Sequence, residues 1–268
     1  MVIPIYGTIT LDGGDSNFLS SSEHTTTDDI VKKIAAAAAD PAVKGVLFEI
    51  NSPGGSAVAS KEIADAISAL NKTKYSVIRE VGASGAYWIA SATDKIIAQE
   101  SSVTGSVGVI SSYLEFSRLF DKYGVTYERL TAGKYKDLGT PYKELTLEER
   151  AILEKKLAII HQQFLSTVQK NRQLTPAQVE KIRTGEFFLG SEAKALHLID
   201  AYGSKADAIV MLKKDIHIED ARIVEAKPKG GLLSYLTQTG AYSFGKGFGA
   251  SIAEHTQQTA TKETLPQL

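Results

Sequence analysis

The chain contains no cysteine. Disulfides, zinc–thiolate centres and a cysteine nucleophile are therefore excluded, and thiol usage says nothing about compartment. Surplus charge of one sign is also missing. Thirty Lys and Arg face 31 Asp and Glu, for a formal net charge of -1, so no nucleic-acid partner is expected. Long apolar runs are absent too: nothing approaches the roughly 18 residues of a membrane span. The N-terminus lacks the charged segment and apolar core of a signal peptide. It opens almost directly on the apolar stretch Val2–Ile9, which leads us to expect that an upstream segment is missing.

What remains is a chain of 268 residues, 43% hydrophobic and 23% charged. That composition suits a soluble globular protein of one large or two small domains. β-Branched apolar runs at Val43–Ile50 and Tyr75–Val81 predict buried strands, preceded by helices at about Thr27–Ala39 and Ala57–Leu70. Strands separated by helices of 10–15 residues argue for βαβ units and a mostly parallel sheet, hence an α/β fold. A helix over Glu115–Tyr123 and a strand over Val125–Leu130 are expected next. Thr146-Leu-Glu-Glu149 reads as a capping box opening a long helix to about Arg172, with a second box at Thr175-Pro-Ala-Gln178. Arg222–Ala226 predicts the last strand, closing a single domain over residues 1–226. The Gly-, Ser- and Thr-rich residues 227–268 are expected to form a flexible tail.

Four segments carry the chemistry: Asn51-Ser-Pro-Gly-Gly55, Gly82-Ala-Ser-Gly-Ala-Tyr-Trp88, Thr104-Gly-Ser-Val-Gly108 and Ala132-Gly-Lys-Tyr-Lys-Asp137. Ser84 opens an apolar helix, where capping is the commonplace task of a serine. As a nucleophile it needs a base. None of the five histidines (24, 161, 197, 217 and 255) lies in a small-residue turn, and no Gly-x-Ser-x-Gly elbow is present. A lysine can serve if it is neutral, and bringing its pKa from near 10.4 to about 7–8 costs roughly 4 kcal/mol of desolvation. Lys136 lies between Tyr135 and Leu138, flanked by Gly133 and Gly139, and Lys134 is its competitor. Most single lysines in such loops are simply solvated. The amide of Gly85, at a helix N-terminus, could meet a developing oxyanion, and the glycine turn ending at Gly55 offers a second donor.

Together these four motifs, in this order over roughly residues 2–225, resemble the signal peptide peptidase A family of serine–lysine proteases. The resemblance implies a ββα spiral of the Clp protease/crotonase type with a C-terminal helical region. It also implies Ser84 as nucleophile, Lys136 rather than Lys134 as general base, Ser106 as the residue positioning the lysine, and Gly55 and Gly85 as oxyanion-hole donors. No metal or cofactor is implied. The implied substrates are hydrophobic peptides, including cleaved remnant signal peptides. The implied partner is the chain itself, in an octamer-like homo-oligomer where serine and lysine can come from neighbouring protomers. Family members are membrane-associated, whereas this chain has no membrane anchor in its sequence. Competing readings are a same-dyad protease of the phage capsid-maturation or stomatin-cleaving type, a crotonase-like acyl-CoA enzyme and a non-catalytic oligomeric scaffold.

Overall fold

Residues 1–12 and 24–226 are described by the computed structural model. The expected tail, 227–268, lies outside them. β1 (Val2–Thr10), β2 (His24–Thr26) and α1 (Thr27–Ala39) come first, then β3 (Gly45–Gly55), α2 (Ala57–Ala69) and β4 (Thr73–Ala83). α3 (Gly85–Ser91), β5 (Lys95–Ala98), β6 (Val103–Gly105) and α4 (Ser117–Lys122) follow. After the long α5 (Leu147–Arg172) come α6 (Pro176–Ile182), β7 (Phe187–Leu189), α7 (Gly190–Ala195), β8 (Ala201–Tyr202) and α8 (Lys205–Asp215).

The strands form one sheet in the order β2-β1-β3-β4-β5-β8, with β6 branching from the end of β4 and β7 pairing with β6. Every pairing is parallel except β6–β7. The α/β class and the mostly parallel sheet thus stand as the alternation of strands and helices anticipated. Strands β3 and β4 read as continuous apolar runs because helices cover their faces. Ile63 and Ile67 of α2 and Ile30 and Ile34 of α1 enter the core at helical spacing. α1 begins where Thr26 accepts from Asp29 N, with Asp28 and Asp29 favourable to its dipole. It has no basic residue in its last turn, and Lys72 fills that role, its Nζ donating to the carbonyls of Ala37 and Asp40 at 2.6 Å each.

α5 carries the expected capping box at Thr146 and Glu149, and α6 carries the second at Thr175 and Gln178. Only the C-terminal half of α5 is anchored in the core, through Phe164, Leu165 and Val168. Phe164 stacks on Trp88 of α3 at 4.4 Å between centroids and 7° between planes. Phe164→Ala should therefore destabilise the protein by about 3–5 kcal/mol, measured by denaturant unfolding.

Two expectations fail. Val125–Leu130 forms no strand; these residues are exposed, and β-branched and aromatic residues become a strand only where a neighbouring edge is available. The segment instead belongs to a projecting arm, residues 110–147, whose single helix is shortened to Ser117–Lys122. Arg222–Ala226 likewise makes no strand. It contributes a single bridge between Glu225 and Val2, with Val2 N donating to Val224 O and Ala226 N to Val2 O at 2.8 Å each.

Candidate active site

The C-terminal ends of β3, β4 and β6 converge, the usual place for a site in a parallel sheet. At the end of β3, Asn51 accepts from Val81 N at 3.1 Å where the β3–β4 register shifts. Ser52 Oγ then donates to Gly7 O at 2.6 Å and accepts from Gly54 N at 3.1 Å. These bonds fold the glycine pair tightly. Gly54 has φ +101°, and a Cβ there would lie 2.7 Å from Gly85 N; a Cβ on Gly55 would lie 2.1 Å from Ile9 O. Glycine is required at both positions by close backbone approach.

Ser84 joins β4 to α3 with φ 54° and ψ -128°. This is a strained, left-handed setting for a residue with a side chain, costing on the order of 1–3 kcal/mol and characteristic of functional turns. Ser84 N donates to Gly105 O at 2.9 Å, and Ser84 O accepts from Tyr87 N and Trp88 N. The serine stands at the helix N-cap, yet its hydroxyl makes no capping bond. The commonplace capping task is thereby set aside, and the hydroxyl is left half-buried at the cleft. A Cβ on Gly85 would come within 3.3 Å of Gly55 N, so the Gly55 and Gly85 backbones adjoin beside Ser84.

Ser106 also sits in the left-handed region, φ 52°, its amide donating to Glu186 O at 2.9 Å. Ser84, Gly85, Gly55 and Ser106 all line one cleft of about 890 Å³. Leu153, Leu157, Ile160 and Phe164 of α5 close it with Trp88, and Lys156, His161 and Arg183 also reach its lining. These wall residues were missed in the sequence, although the helical spacing of Leu153, Leu157, Ile160 and Phe164 along α5 was the available signal. His161 lies on the long helix α5 as its sequence context indicates, and it lines this cleft.

Lys136 is not brought to Ser84 within one chain. It is exposed on the arm, in a turn bounded by Gly133 (φ +108°) and Gly139 (φ +81°), and does not line the cleft. Its neighbours separate it from Lys134. Lys134 Nζ pairs with Glu148 Oε2 at 2.7 Å, and hydrogen bonds to Glu148 and Tyr135 hold its pKa above the ordinary lysine value. The Lys134 amine is thus engaged by Glu148. Lys136 makes no ion pair among the described residues, while the adjacent Asp137 is clamped by Arg129 (Nη2 to Oδ1, 2.7 Å) and its pKa falls to about 2. The arm also carries bare apolar side chains, with Ile110 88% and Leu130 94% exposed.

The profile of peptidase family S49 matches residues 68–219, and that of Clp protease matches residues 16–103. A candidate protease of Methanocaldococcus jannaschii is 36% identical over 217 residues, covering 78% of this chain and 68% of that protein. The chain belongs to peptidase family S49. This is a family of serine proteases, and the sheet is of the Clp protease type. A candidate signal peptide peptidase of Enterococcus faecium is 34% identical over 222 residues, 82% of this chain and 64% of that one. The chloroplastic serine protease SPPA of Arabidopsis thaliana is 31% identical over 209 residues, which cover 75% of this chain and 31% of the relative. Among the described residues of the S49 chain, no helix is long and apolar enough to cross a membrane.

Proposed function

We propose that this S49 protein is a serine endopeptidase that cleaves hydrophobic peptides, such as remnant signal peptides, through a Ser84–Lys136 dyad assembled between neighbouring protomers. The observation that carries the reading is the uncapped hydroxyl of Ser84, held in a left-handed turn at the cleft beside the Gly55 and Gly85 backbone. In the reaction, Ser84 Oγ adds to the scissile carbonyl while its proton passes to the neutral Nζ of Lys136. The Gly55 and Gly85 amides receive the oxyanion. Collapse breaks the C–N bond, Lys136 returns the proton to the leaving amine, and water hydrolyses the acyl-enzyme by the same proton route. Ser106 holds the lysine amine.

Delivery from a neighbour is supported by three properties of the arm: Lys136 is exposed, it has no ion pair among the described residues, and the arm exposes Tyr127, Leu130 and Tyr135 on the residues leading to it. Docking into another copy would bury those side chains and desolvate the amine, and burial favours the neutral form needed of a base. The apolar wall formed by Trp88, Leu153, Leu157, Ile160 and Phe164 suits apolar peptide side chains.

A serine-reactive phosphonate should label the protein at Ser84. Labelling should vanish in Ser84→Ala and Lys136→Ala and persist in Lys134→Ala. Only an unprotonated amine can take the proton, so the labelling rate should rise with pH. Equal labelling of Ser84→Ala and wild type would sink the reading, and a rate flat down to pH 5 would sink the lysine base.

A further inference from the structure

His161 lies on α5 one turn before Phe164 and Leu165, so it continues the helix's buried stripe into the cleft. Its Nε2 lies 2.8 Å from the carbonyl oxygen of Val107. A carbonyl can only accept, so Nε2 carries the hydrogen and the imidazole acts here as a donor. Val107 is fully buried and sits in the middle of a three-residue turn. On one side Ser106, at φ 52°, donates its amide to Glu186 O at 2.9 Å; on the other, Gly108 N donates to Ser106 O at 2.8 Å. The turn therefore crosses from β6 to the cleft wall on two backbone bonds and one side-chain bond. That side-chain bond is the only one of the three that ties the turn to α5.

The geometry points to His161 as a positioning residue: by donating to Val107 O it locks the Ser106–Gly108 turn in its left-handed form and fixes where the Ser106 hydroxyl sits in the cleft. The inference rests on the role proposed for Ser106 and adds to it. It also gives the ring a task other than proton acceptance. Nε2, whose hydrogen is committed to a carbonyl, does not take the proton of Ser84; a Ser–His pair would have to use Nδ1, and the variants below test for it.

Two variants separate these roles. His161→Phe keeps a ring but removes the donor, and His161→Gln restores an N–H at similar reach. In His161→Phe, kcat for an apolar peptide should fall about tenfold with KM within about twofold of wild type, a loss of alignment rather than of binding. Amide hydrogen exchange at Ser106 and Gly108 should become faster in the same protein. His161→Gln should bring kcat back to within about threefold of wild type and restore slow exchange. Unchanged kcat and unchanged exchange in His161→Phe would overturn the proposal. So would a His161→Gln protein as inactive as Ser84→Ala, since the ring would then be accepting a proton. The exchange measurement does not depend on catalysis, so it still decides the matter if Ser84 proves not to be a nucleophile.

Discussion

Mixing Ser84→Ala protein with Lys136→Ala protein, each inactive alone, should restore about one quarter of wild-type activity when protomers are allowed to exchange in a head-to-tail ring. Each variant alone should lose at least about a thousandfold, because nucleophile and base act as one unit. The restoration follows from counting. In an equal mixture a given site has an intact Ser84 half the time, and its neighbour has an intact Lys136 half the time. A dyad formed within one chain predicts no restoration, since every chain then lacks one member. The structure favours the first outcome: Ser84 lines the cleft, whereas Lys136 stands exposed on an arm and outside that lining. Peptide hydrolysis measured before and after protomer exchange checks this. Absence of recovery, with exchange demonstrated by mass, would refute delivery from a neighbour.

Gly54→Ala should reduce kcat by about 10²–10³-fold, the range for losing one oxyanion donor. The added methyl would lie 2.7 Å from Gly85 N and 2.9 Å from Ala83 O, and φ is +101°. Neither contact is with a flexible side-chain end, so the backbone itself must shift, and it is the backbone that presents the proposed donors. A stability loss of about 1–3 kcal/mol should accompany it. Gly124→Ala is the control: its φ of +68° is also left-handed, but a Cβ there meets nothing within 4 Å. It should show the strain without the loss of kcat. Comparing kcat, KM and melting temperature of the two variants separates crowding of the site from backbone strain. Near-wild-type kcat in Gly54→Ala would remove the glycine turn from the oxyanion hole.

Sequence and structure agree best where local chemistry decides. The span of α1, the two capping boxes and the four glycine- or serine-bearing turns were all legible, because caps and tight turns are written in a few adjacent residues. Val125–Leu130 misled for the opposite reason. A strand is made by its neighbour, and among the described residues no strand pairs with the arm. His161 was passed over because its identity as a helix residue was visible and its contact with Val107, 54 positions away, was not. The choice between Lys134 and Lys136 could be made from the motif only by likeness. The structure adds that Lys134 is ion-paired with Glu148, whereas Lys136 has no ion pair among the described residues. The separation of Lys136 from Ser84 was open only through the family resemblance, which allows the two to come from neighbouring protomers, since residue spacing carries no information about which copy of a chain a loop will reach.

The arm has a kinetic consequence. A lone chain holds Leu130 and Ile110 almost wholly in water, and by the scheme above it also holds half of its own catalytic machinery out of reach. Specific activity should then depend on protein concentration, vanishing on dilution and returning on concentration without any modification of the chain. Such a protease would be silent while newly made and scarce, becoming destructive only where copies have gathered.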